Sequence, residues 1–150
     1  MSKIKSYKGL IINNGQDHIR LSTKDGLVGY RIVKFSTIDS NPGGAGAEHV
    51  TKIYKTDQST TTGGPGIDGS VDFADNDLLA VATWGQNADH GAWTDSTIFG
   101  NEIINQDIFI THNDEQTGAA SYYLELEQFV LDLNQSTVAT LKNLKNMSQR

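Results

Sequence analysis

The feature that most constrains the fold of this 150-residue chain is a series of short apolar runs, which clusters of Gly, Asn and Asp interrupt at short intervals. Short runs bounded by turn-forming residues are typical of β-strands rather than of helices. The predicted strands cover 6–13, 18–22, 28–38, 50–55, 71–73, 78–84, 97–104, 107–112 and 122–133. This spacing predicts an all-β fold, an antiparallel, jelly-roll-like β-sandwich of about eight strands.

The C-terminal tail departs from the strand pattern and predicts one short helix. Asn134 or Ser136 can cap the first turn, because a short polar side chain can accept a hydrogen bond from a backbone N–H there. Apolar residues then recur at helical spacing, at Val138, Leu141 and Leu144. We therefore expect one domain: a basic N-terminal arm and first strand over 1–12, a sandwich over 13–133, and a helix or tail over 134–150.

Two kinds of connection are predicted between the strands. The sequence Lys24-Asp25-Gly26 lies between two apolar runs, and an Asp-Gly turn in that place favours a β-hairpin, since Gly accepts a positive φ. Segments 39–47 and 56–66 are rich in Gly and small polar residues, so we predict that both are loops.

Composition excludes several kinds of site. The chain has no cysteine, so it has no disulfide, no thiolate metal ligand and no cysteine nucleophile. It has no apolar run of about 18 residues, so we expect no membrane contact. The apolar stretch Gly9–Ile12 that follows the basic N-terminus is too short for the core of a signal peptide.

The charges are segregated along the chain. Residues 1–55 contain nine Lys and Arg and four Asp and Glu, whereas residues 56–141 contain fourteen acids and no Lys or Arg. An acidic middle argues against nucleic-acid binding, because phosphates need cations to neutralise them. Two explanations stay open: the basic and acidic segments attract each other within one fold, or they present opposite charges to neighbouring molecules.

An acidic cluster in the middle of the chain is a candidate calcium site. It consists of Asp68, Asp72, Asp75 and Asp77. Calcium takes several oxygen ligands, but the spacing does not match an EF-hand loop. In a chain with so many acids, turns capped by aspartate explain the cluster better than calcium does, and the sequence leaves calcium binding as an open alternative.

No catalytic or metal-binding pattern is present among the histidines and acids. His90 and His112 have polar neighbours, but no two histidines have the spacing of a zinc site, and no nucleophile-elbow motif is present. Glu125 and Glu127 alternate with apolar residues, which is typical of the solvated face of a strand. We predict no enzyme activity, no cofactor and no metal.

The candidate interface residues fall into two groups. Trp84 and Trp93 bracket a polar segment and have three possible roles, namely capping the core, anchoring a protein interface or stacking against a sugar. The other group is the basic arm, in which we expect Lys3, Ile4, Lys5, Tyr7 and Lys8 to order on docking to a partner.

Three stretches carry a resemblance to a known class of protein. They are 69–80 (GSVDFADNDLLA), 105–112 (NQDIFITH), and 122–127 (YYLELE) with 137–144 (TVATLKNL). Together they resemble the small capsid decoration (cement) and accessory virion proteins of tailed bacteriophages of marine bacteria. The resemblance covers about half of the chain, and it offers no functional residue to carry over.

The resemblance implies a protein of the virion that binds the outer shell and reinforces contacts between major capsid protein subunits. It also implies a β-rich fold, no cofactor, and assembly as a homo-oligomer, with a trimer favoured. Two alternatives stay open: a neck or tail accessory protein of the virion, and a carbohydrate-binding β-sandwich module that uses Trp84 and Trp93.

Overall fold

The computed structural model describes residues 3–43, 46–87, 89, 91–100 and 102–148. Within them the chain forms eight β-strands in two antiparallel sheets and one C-terminal helix, so the predicted β-sandwich is confirmed. The elements are β1 (Lys3–Ile11), β2 (Gln16–Ile19), β3 (Val28–Asp39), β4 (Ala47–Tyr54), β5 (Leu78–Asn87), β6 (Gly91–Ile98), β7 (Ile108–Asp114), β8 (Ala120–Val130) and α1 (Leu133–Ser148).

The two sheets differ in size. The strand order is β1-β8-β3 in the three-stranded sheet and β2-β7-β4-β5-β6 in the five-stranded sheet. The core lies between the sheets, where Leu124 and Leu126 of β8 face Ile53 and Ile110 of the larger sheet, and all four are fully buried. The period-two alternation of β8 thus directs its leucines inward and Glu125 and Glu127 outward.

The basic arm is part of the sandwich. Residues 3–11 form β1, which pairs with β8 from Lys3 opposite Gln128 to Ile11 opposite Ala120. The expectation that the arm orders only on docking is therefore wrong for its described residues. Backbone pairing along all of β1 makes it an edge strand of the three-stranded sheet.

Two predictions are wrong, one of a hairpin at Gly26 and one of a strand at residues 71–73. Gly26 does adopt a positive φ of 69° and donates to Thr23, but β2 joins the five-stranded sheet while β3 joins the three-stranded one. The Asp25-Gly26 turn is therefore a crossing between the sheets and not a hairpin. Residues 71–73, predicted as a strand, are exposed and belong to the irregular connection from β4 to β5.

The strand that contains Trp93 begins earlier than predicted. β5 continues to Asn87, and β6 starts at Gly91, which takes the positive φ of 73° that the turn requires. The predicted strand 97–104 overlaps only the end of β6. His90, singled out in the sequence, lies outside the described residues.

The C-terminal helix is confirmed, but its cap is a different residue from the two predicted. The Asp132 carboxylate accepts a hydrogen bond from the Gln135 N–H at 2.8 Å, and the Gln135 side chain accepts one from the Asp132 N–H at 3.1 Å. This reciprocal pair is a capping box. Asn134 and Ser136 lie inside the helix, and the Asn105 amide donates to the Ser136 carbonyl. Over the described residues, α1 and the short 3-10 turn Thr60–Thr62 both fall short of the length and apolarity needed to cross a membrane.

Candidate interaction surfaces

The outer face of the three-stranded sheet is not covered by the described residues, and it exposes large apolar side chains among serines and charged residues. β-Pairing places Ile4, Lys8 and Leu10 of β1 beside Tyr123 of β8 and Ile38 of β3 on this face. Leu10 is 58% exposed and Ile38 is 46% exposed, although large aliphatic side chains are usually buried in the core. We call Ile4, Lys8, Leu10, Ile38 and Tyr123 the open sheet face.

Charged residues on this side of the sheet contact one another or Tyr123. Arg31 of β3 forms an ion pair with Glu127 of β8, and the Lys34 ammonium lies 5.7 Å from the centre of the Tyr123 ring. The Tyr123 hydroxyl donates to Glu125 at 2.9 Å, and this hydrogen bond raises the pKa of the tyrosine. The surface therefore offers apolar side chains together with charged ones, of which Arg31 and Glu127 are paired with each other.

A cleft of about 670 Å³ adjoins the open sheet face. Its lining includes Lys8, Ile38 and Tyr123, and it extends as far as Thr94 of β6. This concavity lets a protruding partner segment contact more of the apolar surface than a flat face would.

The structure divides the predicted arm residues between two faces. Ile4 and Lys8 belong to the open sheet face, whereas Lys3, Lys5 and Tyr7 alternate to the other side. Tyr7 packs against the core, and burial raises its pKa. The Lys5 ammonium lies 6.0 Å from the centre of the Tyr30 ring. The arm therefore does not act as one continuous basic surface.

The two tryptophans also differ in their exposure to solvent. Trp84 of β5 is only 5% exposed and packs inward near His49, whereas Trp93 of β6 is 42% exposed. This burial favours the core-capping role for Trp84, and the residue also borders the cleft beside the open sheet face. Trp93 is the more exposed of the two tryptophans.

Trp93 lines a groove on the outer face of the five-stranded sheet. Cross-strand pairing sets Glu48, Gly85 and Trp93 in one row and Val50, Thr83 and Asp95 in the next. The groove has a volume of about 500 Å³. We call it the Trp93 groove, and its polar lining includes Glu48, His49, Thr83, Asn113 and Glu115.

A buried pair of histidines links three parts of the fold. His49 Nδ1 of β4 lies 2.8 Å from His112 Nε2 of β7, and His112 Nδ1 lies 3.0 Å from the carbonyl oxygen of Ile12. Both rings are fully buried, and burial lowers the pKa of His112. Asp39 and Asp114 flank His49 at 3.4 and 3.8 Å.

Sequence reasoning missed this pair, because His49 and His112 are distant in the chain and meet only through the β4–β7 pairing. The alternation of β4, which puts His49 on the same side as Ile53, was the available signal. The rings are enclosed and hydrogen-bonded, so their evident role is to join the strands. Among the described residues, no group of His, Asp or Glu is arranged to hold a metal ion.

The acidic cluster is used in turns. The carboxylate of Asp68 accepts from the Ser70 N–H and hydroxyl, that of Asp72 from the Ala74 N–H, and that of Asp75 from the Asp77 N–H. Hydrogen bonds to residue i+2 are typical of Asx turns. The geometry therefore favours the turn-capping interpretation over calcium binding.

Comparisons with known proteins give no family. No known family matches the chain, and no curated protein matches it. A mitogen from Yersinia pseudotuberculosis has 12% identity and a TM-score of 0.30, with 88% of this chain and 89% of that chain covered. A protein of the disulfide-linked pili that form Bacillus endospore appendages has 12% identity and a TM-score of 0.28, with 88% and 92% covered.

A lectin from Bauhinia forficata, solved with GalNAc, has 10% identity and a TM-score of 0.20, with 86% of this chain and 93% of that chain covered. Scores at this level carry no argument about function.

Proposed function

We propose that this chain is a non-enzymatic structural protein of a virion, a capsid decoration protein that binds the outer shell and reinforces contacts between major capsid protein subunits. The open sheet face carries the proposal, because a folded domain rarely leaves such a patch exposed unless another protein covers it. The resemblance of three stretches of the chain to accessory virion proteins supplies the setting.

The contrast between the two sheets supports the choice of surface. The outer face of the five-stranded sheet buries Val50, Tyr54 and Val81 beneath the chain's own β4–β5 connection. The three-stranded sheet has no equivalent cover among the described residues, so its apolar side chains are available to a partner. Repetition on a shell lets many modest contacts of this kind add up to tight attachment.

Attachment to the shell can be tested with particles assembled from the major capsid protein encoded in the same genome. The Leu10→Lys/Ile38→Lys variant places two charges on the open sheet face, and we expect it to lose most co-sedimentation with the particles. A matched control is Val138→Lys/Leu141→Lys, which changes two equally exposed apolar residues of α1. We expect this control to bind as the unmodified chain does.

Full occupancy by the Leu10→Lys/Ile38→Lys variant would contradict the open sheet face as the docking surface. Failure of the unmodified chain to bind any particle would contradict the virion function itself. Homo-oligomers, with a trimer favoured, are part of the same proposal, and sedimentation velocity of the purified chain tests them separately.

A further inference from the structure

Trp93 is held against the backbone of the neighbouring strand and stays partly exposed. A Cβ atom at position 85 would lie only 2.2 Å from the Trp93 ring, so the ring rests directly on the backbone of Gly85. Glycine at this position is what allows the close contact. The Trp93 side chain is 42% exposed and lines the Trp93 groove.

The groove around this ring is rich in hydrogen-bond acceptors and poor in donors. Glu48 and Glu115 line it, and Asp95 follows Trp93 on the same face of β6. The Asn113 amide nitrogen already donates one of its two N–H groups to Asn14 at 2.6 Å, so the second N–H and the oxygen are left for a ligand. None of the described residues that line the groove is Lys or Arg, and neither glutamate has an ion pair among them.

A basic side chain matches this combination. Lysine and arginine side chains only donate hydrogen bonds, as the acceptor-rich lining requires, and tryptophan is the best aromatic partner for a cation above its ring. A neutral sugar could stack on Trp93 equally well. Its hydroxyls, however, both donate and accept, and the groove offers few donors in return.

We propose that the Trp93 groove binds a lysine or arginine side chain presented by a partner protein. The site lies on the opposite sheet from the open sheet face, so this inference does not depend on the proposed virion function. The strand register also places Lys52 on this face, but its ammonium donates to the Ser70 carbonyl and lies 3.6 Å from Asp68.

The probe is a blocked peptide in which lysine alternates with glycine, and the matched peptide has glutamine in place of lysine. Binding is followed by the indole N–H resonances in ¹⁵N-labelled protein. Both tryptophans border the groove, but Trp93 is exposed and Trp84 is buried. We expect the lysine peptide to shift the Trp93 resonance more than that of Trp84, with affinity that falls about threefold or more when salt rises from about 50 to about 500 mM.

Three variants test the lining of the groove. Glu48→Gln keeps the shape of the side chain and removes its charge, so we expect the dissociation constant of the lysine peptide to rise about two- to fivefold. Gly85→Ala displaces the indole, and we expect a larger loss. The control Glu125→Gln removes a carboxylate from the other sheet and should leave binding unchanged, and thermal unfolding of each variant checks that it is folded.

Several results would overturn the inference. An equal response to the glutamine peptide would show that charge is not recognised. A shift of Trp93 with methyl glycosides but not with the lysine peptide would identify the groove as a sugar site. If the folded Glu48→Gln variant bound the lysine peptide with unchanged affinity, the Glu48 carboxylate would not take part in recognition.

Discussion

The outer faces of the two sheets differ in how far their large side chains are buried. Tyr54 of the five-stranded sheet is only 8% exposed, because the connection from β4 to β5 folds over it, whereas Tyr123 of the three-stranded sheet is 37% exposed. The covered face contributes to a second small core with Val50, Leu78 and Val81. One sheet therefore uses its outer face for stability, and the other keeps apolar surface available for association.

The largest expected effect comes from truncating the same side chain on each face. Tyr54→Ala should lower the free energy of unfolding by about 3 kcal/mol, since it leaves a cavity between the sheet and the connection that covers it. Tyr123→Ala should lower it by less than about 1 kcal/mol, because the side chain is already partly in water. Urea unfolding of both variants gives the comparison, and equal losses would show that the two faces are not different.

The next largest effect on stability is expected from the carboxylate of Asp107, which lies just before β7 in the five-stranded sheet. Burial alone would raise its pKa, but hydrogen bonds from the Ser22 N–H, His18 and the Leu21 N–H outweigh burial and lower the pKa to about 2. A carboxylate whose pKa falls on folding stabilises the folded state at pH values above its ordinary pKa of 3.8. This stabilisation is lost as the pH falls toward 2.

Asp107→Asn should therefore cost about 2 kcal/mol at pH 7 and much less at pH 2.5. Unfolding by urea at the two pH values measures the difference. A cost that stays the same at both would mean that the charge of Asp107 is not what stabilises the loop at residues 21–22.

A smaller pH effect is expected from the buried histidine pair. Burial lowers the pKa of His112, so the unfolded chain binds a proton more readily than the folded one below the ordinary value of 6.5. Stability should consequently decrease as the pH falls from 7.5 to 5. His49, Asp39, Asp114 and the Ile12 carbonyl face this ring and share in the response.

His112→Asn tests this assignment. We expect the variant to be less stable at pH 7.5 but to show a shallower decline toward pH 5, as measured by urea unfolding at half-unit intervals. A slope identical to that of the unmodified chain would assign the pH dependence to other groups.

Much of the sandwich could be predicted from the sequence, because alternation along β8 and the Gly, Asn and Asp turns are local signals. The failures come from non-local pairing. No local signal says that β2 and β3 join different sheets across Gly26, or that Gly85 and Trp93 become neighbours. Of the predicted interface residues, Lys3, Ile4, Lys8 and Trp93 reach exposed surfaces, while Trp84 is buried because β5 directs it inward. The contact between His49 and His112 likewise depends on the pairing of β4 with β7, which no local signal predicts.

The smallest effect on stability should come from changing the open sheet face itself. The Leu10→Thr/Ile38→Thr variant keeps residues that suit an exposed strand and removes apolar surface that is already in contact with water. We expect the free energy of unfolding to change by no more than about 0.5 kcal/mol. Binding of a hydrophobic fluorescent dye to the folded protein should fall clearly, while the same pair of changes at Val50 and Val81 should unfold the protein more readily. A large loss of stability in the Leu10→Thr/Ile38→Thr variant would mean that these side chains support the fold, because an exposed face kept for association contributes little to it.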